Sequence, residues 1–546
     1  MMRPRSTGVV VLAIAAAVAA FAACGQDAPK APPPPEHTTV AQNTAAATER
    51  YLRLAARVDP YVPKPRVVVM TDIANEPDDQ MSMVRLLVYA NQLDIEALVA
   101  STSTWMRNKT RPDVLHKVIA AYATVQPRLD AQSPGYPAAE VLDKLVTTGQ
   151  EGYGMAAVGA DKLSPGADAI LKVLDHPDPR PVWVLGWGGT NTLAQALFHA
   201  RRTRKPAELE ALVDKLRVYA ISDQDDAGPW LRRVFPSLHY IAMPSTQDGE
   251  EYYLATWTGI SGDRFYRNAP GADFTTFTDQ WVAANIRGRG PLGALYIPPC
   301  CIHEGDTPSF LGLIDNGLAS AMSPTYGGWG GRYVWRTPSG ESRPFWTQGG
   351  DSYPGKDSSR DTVIGVDGKA YTSDQATIWR WRQAFQHDFA ARMAWSAGTG
   401  SNHNPTVVVN GESGKAPITI LTPPGTPVLL DATGTADPDG NALTYRWFFY
   451  PEAGTGIPGQ PVFAGPAVPV GGGGTPGAGG IPSGPEGGPR QPAPRVTLSQ
   501  PTSPKTGATL TTPGIAHVIL EVTDNGTPSL TSYRRIIIRS PATSPH

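Results

Sequence analysis

The chain has 546 residues, three to four times the roughly 150 of a single domain, so several domains or one large domain with accessories are expected. Its 47 Lys and Arg nearly balance 49 Asp and Glu, for a net charge of -2. With no block of like charge, a nucleic-acid partner or a polybasic membrane binder is disfavoured. With 56 Gly and 54 Pro and only 18% charged residues, against about 12% Gly plus Pro and about 25% charged in ordinary domains, part of the chain is loop-rich or of low complexity.

Residues 1–23 carry Arg3 and Arg5, an apolar run from Val9 to Ala20 and then small residues, the three parts of an export signal. The run is too short to span a bilayer, and no other window reaches the 18 or more apolar residues a span requires. Phe21-Ala22-Ala23-Cys24-Gly25 resembles the bacterial lipobox, with Phe21 where Leu is usual. Lipidation of Cys24 and plain secretion both stay open. Either way the protein is exported to the periplasmic face or cell surface, as an outer-membrane lipoprotein if lipidated, and it meets a membrane only through that anchor. Residues 24–63, with Pro32 to Pro35 inside them, read as a Pro-rich tether.

From 64 to 400 short β-branched runs alternate with longer amphipathic stretches, the pattern of an α/β domain with a mostly parallel sheet flanked by helices. Candidate strands are Val67–Met70, Ile95–Ala100, Val182–Leu185, Leu216–Ile221 and Ala294–Ile297. Met83, Leu86, Leu87 and Ala90 recur at helical spacing between the first two, which predicts a crossover helix. From 401 to 546 the texture becomes alternating, with runs at Pro427–Leu430, Leu443–Tyr450 and His517–Val522 and no helical period. This predicts a small β-sandwich with Trp447 in its core. Its sequence is similar to the immunoglobulin-like repeats appended to secreted bacterial carbohydrate enzymes. Between its halves, residues 451–495 hold 25 Gly or Pro in 45 positions, too few apolar side chains to offset the entropy of ordering.

The chemistry is concentrated after the first strand. Thr71-Asp72-Ile73-Ala74-Asn75-Glu76-Pro77-Asp78-Asp79 places four carboxylates at the carboxyl end of a strand, where open α/β sheets bind ligands. Such acids repel one another unless some take up protons or a cation joins them, and a hard, oxygen-liganded ion such as Ca2+ satisfies the cluster. Capping of the following helix by Asp78 and Asp79 is the plainer explanation, but it leaves Asp72 and Glu76 without a reason.

MTDIANEPDD resembles the D-x-D-P-G-x-D-D fingerprint of nucleoside hydrolases, calcium-dependent enzymes that cleave N-ribosides. The chain more closely resembles the nucleoside-hydrolase-like proteins of polysaccharide-degrading bacteria, which are described as cellulose-binding and carry such a sandwich. Gly186-Trp187-Gly188-Gly189-Thr190-Asn191-Thr192-Leu193, Ile221-Ser222-Asp223-Gln224-Asp225-Asp226 and His303-Glu304-Gly305-Asp306-Thr307-Pro308 extend the resemblance in the same order. It implies Asp72 as a metal-bound general base, Asp79 and Asp306 as metal ligands, Thr190 as a backbone-carbonyl ligand and Asp78 as a partner of a sugar hydroxyl.

Three departures stand out. Met70 replaces the first aspartate of the fingerprint, and Asn75 and Glu76 lengthen the loop beside the ion. Gly305 stands where several purine-acting relatives carry a histidine that protonates the leaving base. Glu304 is the candidate leaving-group acid, with a supporting role beside Asp306 as the alternative, and His303 reads as structural. Asn75, Glu76, Trp105, Trp187, Asn191, Asp223, Asp225 and Asp226 are candidate substrate-binding residues by their places after the strands. Trp329, flanked by Gly327-Gly328 and Gly330-Gly331, is a candidate sugar-stacking indole on a flexible loop.

Adjacent Cys300 and Cys301 lack a second pair at metal-binding spacing and read as apolar thiols. There is no phosphate loop, Gly-x-Ser-x-Gly elbow or His-Glu-x-x-His motif. Two functions are expected: a Ca2+-dependent glycoside hydrolase acting on a saccharide, glycoconjugate or nucleoside-like molecule, or a protein that binds a plant polysaccharide without turnover.

Overall fold

Strand β1 (Arg66–Thr71) is buried along its whole length. It lies inside an eight-stranded sheet with β2 (Asp94–Ala100), β3 (Val146–Thr148), β4 (Val182–Gly186), β5 (Leu216–Ser222), β6 (His239–Met243), β7 (Val334–Arg336) and β8 (Phe345–Thr347), in the order 3-2-1-4-5-6-8-7. Only β7 runs antiparallel to its neighbour, β8. Successive residues of a strand point to opposite faces. Val67 and Val69 therefore join one apolar core, and Val68 and Met70 the other. Burial on both faces explains why these strands are nearly continuous apolar runs.

The computed structural model describes residues 40–243, 255–261, 271–298, 302–338, 340–347, 359–457 and 495–541. The stretch read as an export signal with Cys24, and also Cys300, Cys301 and most of the Gly/Pro-rich stretch, lie outside them. The chain divides into two compact units, residues 1–49 and 50–546. Within the stretch read as a tether, Val40–Ala55 is helical, and Leu54 and Ala55 are buried in the main core. Among the described residues no helix is long and apolar enough to cross a membrane.

The crossover after β1 is the helix Pro77–Val88, with Met83, Leu86 and Leu87 buried as their spacing predicts. Ala90, also buried, begins a single further turn. The expected strand at Ala294–Ile297 is instead the end of a helical segment. Gly290 at φ 75° and Pro291 start a short helix, and the amides of Ala294, Leu295 and Tyr296 bond back to Gly290, Leu292 and Gly293. Local bonding there replaces the ladder that a strand requires.

Two antiparallel hairpins, β9 (Asp361–Ile364) with β10 (Ala370–Ser373) and β11 (Val408–Val409) with β12 (Glu412–Ser413), precede the sandwich. One sandwich layer comprises β13 (Ile418–Leu421), β15 (Leu443–Phe449), β18 (Gly514–Asp524) and β19 (Thr531–Ser540), in the order 13-19-18-15. The other comprises β14 (Pro427–Asp431), β16 (Val496–Leu498) and β17 (Lys505–Leu510), with β17 central. Trp447 is buried in the sandwich core as expected, its indole N–H donating to the Ser503 carbonyl at 2.9 Å.

The sandwich is built into the α/β layers. Tyr450, Ile519 and Tyr533 belong to the main core. Arg535 donates to the carbonyls of Leu318 (2.6 Å), Tyr326 (3.0 Å) and Gly327 (2.9 Å). Gly317, at φ 95°, lies where a Cβ would come 1.8 Å from the Tyr533 carbonyl oxygen, so only glycine permits this approach.

Candidate metal centre and active site

Strand order reverses at the β1/β4 pair, the position at which the carboxyl ends of an open parallel sheet leave a crevice. The loops at that edge are knitted by backbone bonds. The amide of Trp187 donates to Met70 (2.8 Å), that of Ser101 to Thr71 (2.8 Å) and that of Gly189 to Thr102 (2.9 Å). Two non-glycine residues adopt left-handed backbone here, Ala74 at φ 77° and Glu304 at φ 51°. Such conformations persist only where the surroundings impose them, often at functional sites.

Asp78, Asp79 and Asp306 each offer a carboxylate oxygen, all within 4.8 Å of one another. Asp72 stands beside them, and all four side chains are buried. Burial, then the charges of Glu76 and Asp72, push Asp78 well above the usual carboxylate range. Burial, then Asp72 and Asp78, do the same to Asp79. For Asp306 the causes are burial followed by Asp79 and Asp78. Burial also raises Asp72, against the pull of hydrogen bonds from Ser103 and Asn75. Glu76 at the edge is pushed up to about 7 by burial and by Asp72.

Among the described residues no Lys or Arg pairs with these four aspartates. Asp72 Oδ2, Asp78 Oδ1 and Asp306 Oδ2 are buried without hydrogen-bond partners. Unpaired, mutually repelling hard oxygens in a buried site fit a hard cation, so the cluster can hold a metal ion.

Asp79 and Asp306, both expected as ligands, come together with Asp78, which was expected as a partner of a sugar hydroxyl, and Asp72 stands beside them with Oδ2 unpartnered. Asp78 and Asp79 also occupy the first turn of Pro77–Val88, where the helix favours negative charge, but the N-cap is Glu76 and no side chain caps the helix by a hydrogen bond. Asp79 is gripped by the Thr71 hydroxyl, which in turn accepts the Ile73 amide at 3.1 Å. Thr190 is the N-cap of the helix Asn191–Thr203, and its carbonyl accepts the Ala194 amide at 3.0 Å.

Several candidate residues are bonded to other parts of the chain around the site. Trp187 is fully buried. Its indole N–H donates to Ser309 Oγ (2.8 Å), and the Ser309 hydroxyl donates to the Asp306 carbonyl (2.6 Å), a chain that orients the Asp306 loop. Asn191 Nδ2 donates to Thr102 Oγ1 (3.1 Å) and to the Gly152 carbonyl (2.7 Å). Asp225, pushed up to about 7 by burial, braces the β4 turn by accepting the Asn191 amide at 3.0 Å. Asp226 accepts the Met155 amide at 2.7 Å. Asp223 is held by Arg232 at 2.9 and 2.7 Å, which corrects its assignment to substrate.

Glu304 also requires correction as the leaving-group acid. It is fully buried, its carboxylate meets Arg85 Nε at 2.8 Å, and it accepts the Tyr296 hydroxyl at 2.6 Å. A carboxylate so engaged lacks a free proton-donating face. A Cβ at Gly305 would lie 2.6 Å from Asp78 Oδ2 and 2.9 Å from the Trp257 ring, so the histidine of purine-acting relatives has no room there.

Trp329 is only 1% exposed and packs edge-on against Phe385. The flanking glycines permit close packing rather than flexibility: a Cβ at Gly330 would fall 2.5 Å from the Gly312 nitrogen. Trp105, by contrast, is 51% exposed. Asn75 and Glu76 are half-buried in the loop beside Asp72.

Ser103, Arg85 and Tyr296 were not singled out from the sequence. Ser103 had a faint signal, since it follows the second strand at the ligand-binding edge. Arg85 and Tyr296 had none, because their meeting with Glu304 is a tertiary event.

A mostly parallel sheet with a buried carboxylate cluster at the β1/β4 reversal defines a nucleoside-hydrolase-like α/β protein, here with a sandwich docked on it. The sequence matches the family described as cellulose-binding Sde182, nucleoside hydrolase-like domain, over residues 66–333. It matches the C-terminal domain of the cellulose-binding protein Sde0182 over residues 427–540. A nucleoside hydrolase-related hypothetical protein from Saccharophagus degradans, described as associated with carbohydrate metabolism, is 31% identical. That alignment covers 87% of this chain and 100% of the other, with a TM-score of 0.67. The chain belongs to this cellulose-binding, nucleoside-hydrolase-like family. The PKD domain of the KIAA 1837 protein is 14% identical over 24% of this chain and 86% of its own, with a TM-score of 0.13. The effector protein XOO4466 is 12% identical over 66% of this chain and 99% of its own, with a TM-score of 0.28. Both are too remote to bear on function. No curated protein sequence matches the chain.

Proposed function

We propose that the protein is an exported, Ca2+-dependent glycoside hydrolase of nucleoside-hydrolase type, acting on a saccharide, glycoconjugate or N-glycoside. The observation that carries this reading is the group of four buried aspartates, three of them with an unpartnered oxygen, with which no Lys or Arg pairs among the described residues. Asp78, Asp79 and Asp306, with Asp72 beside them, would hold Ca2+, which when bound supplies the positive charge that acidifies a nucleophilic water and orients vicinal sugar hydroxyls. Asp72 Oδ2 is the proton acceptor, and the Ser103 hydroxyl orients its carboxylate. The surrounding acids favour the positive charge that develops on the sugar as the glycosidic bond breaks.

A second reading, carbohydrate binding without turnover, is favoured by the engagement of Glu304 with Arg85 and by the lack of room at Gly305. The cellulose-binding description of the family agrees with it. A panel of glycosides and nucleosides assayed with and without Ca2+, beside a cellulose pull-down, separates the two. Hydrolysis that needs Ca2+ and falls at least a hundredfold in Asp72→Asn, with pull-down intact, establishes the enzyme. Cellulose retention with no turnover of any glycoside establishes the binder.

A further inference from the structure

We propose that Trp105 forms a stacking subsite for a neutral pyranose ring at the mouth of the acidic cluster, with Ser103 as its positioning residue. The inference rests on the carbohydrate reading above and names the surface that would recognise the sugar.

An indole left 51% exposed on a structured loop is a large apolar surface without an internal partner. Ser103 fixes its place. The Ser103 hydroxyl oxygen accepts the amides of Trp105 and Met106, both at 3.1 Å, and two residues earlier the Ser101 amide donates to the Thr71 carbonyl at 2.8 Å, which sets the Trp105 loop beside the strand end that carries Asp72.

The neighbours specify the ligand. Arg107 lies over the Tyr153 ring, 4.5 Å from its centroid. Its guanidinium is steadied by the Thr104 carbonyl (2.9 Å) and the Thr104 hydroxyl (3.2 Å). One face of Tyr153 is therefore taken, while the Trp105 indole beside it is open. A nucleobase is best gripped between two aromatic faces. A pyranose presents one flat C–H face for an indole and a rim of hydroxyl acceptors for an arginine, which is what this surface matches. The charge of Arg107 is spent on Tyr153 and Thr104, so an anionic ligand is not required.

The test is calorimetric titration of wild type, Trp105→Ala, Trp105→Phe, Ser103→Ala and Ser103→Thr with cellohexaose, xylohexaose, mannohexaose and inosine, in Ca2+. Trp105→Ala is expected to weaken the hexaose that wild type binds by about tenfold, and Trp105→Phe by less than about threefold. Ser103→Ala weakens it and Ser103→Thr restores it, which separates positioning from general loss of structure. The Ca2+-dependent rise in melting temperature stays unchanged in both Trp105 variants, showing them folded and metal-competent. Hexaose binding by Trp105→Ala equal to wild type overturns the subsite while leaving the carbohydrate reading standing. Wild-type binding of inosine and of no hexaose overturns both.

Discussion

Two groups of buried acids in this molecule have the same solvent exposure and opposite electrostatics. At the junction of the α/β layers and the sandwich, Asp361 is fully buried, yet its carboxyl lies below the ordinary range. Burial pushes it up, but Arg332 at 2.9 Å, Arg380 at 2.8 Å and the Tyr450 hydroxyl at 2.5 Å overcome that push. At the β1/β4 edge, Asp72, Asp78, Asp79 and Asp306 are about as deeply buried, pair with no guanidinium among the described residues and are all raised. Burial alone therefore does not mark a functional site. What marks it is burial of charge for which the described residues provide no counter-charge.

The largest effect is expected where internal pairing is broken. Arg332→Met leaves Asp361 short of one partner and should cost about 3–5 kcal/mol of stability in urea unfolding. A loss below about 1 kcal/mol would mean that the two clusters do not differ as described. The acidic cluster should respond to an external cation instead. Ca2+ at a hundred times its Kd should stabilise the wild type by about 2.7 kcal/mol. Asp78→Asn should be more stable than metal-free wild type, because it removes a repelling charge, and should lose the Ca2+ response. Asp78→Asn that keeps the response would exclude Asp78 from the ion.

The smallest effect is the dependence on pH. Glu76 and Asp225 are raised from their ordinary values to about 7 in the folded protein. The folded state then holds protons that the unfolded chain releases. The stability they confer is complete below about pH 4 and is lost as pH rises through 7. Metal-free protein should resist urea better at pH 5 than at pH 7.5, and Asp225→Asn should flatten that difference. A metal-free profile rising toward pH 7.5 would contradict the raised values.

Legibility in the sequence followed the range of the forces involved. β1, β2, β4 and β5 were readable because burial on both faces writes itself as β-branched runs. β3, β7 and β8 are three residues each, too short for a period, and exist through their neighbours. The cluster from Asp72 to Asp79 was readable because local charge density is a property of the sequence. The state of Trp329 was not: its glycines suggest a loose loop until Gly312 and Phe385 are brought against it. Glu304 looks like a free acid until Arg85, 219 residues away, reaches it.

The sequence by itself determined the α/β and sandwich textures, the acidic loop after β1 and the family, because these depend on local composition and on motifs in order. Tertiary structure decided which acids converge, drawing Asp306 in beside Asp78 and Asp79. It also decided which indole is free and which carboxylates are neutralised by arginine. Those outcomes depend on distances between residues remote in the chain, and the energy of a buried charge is set by what lies within a few ångströms of it.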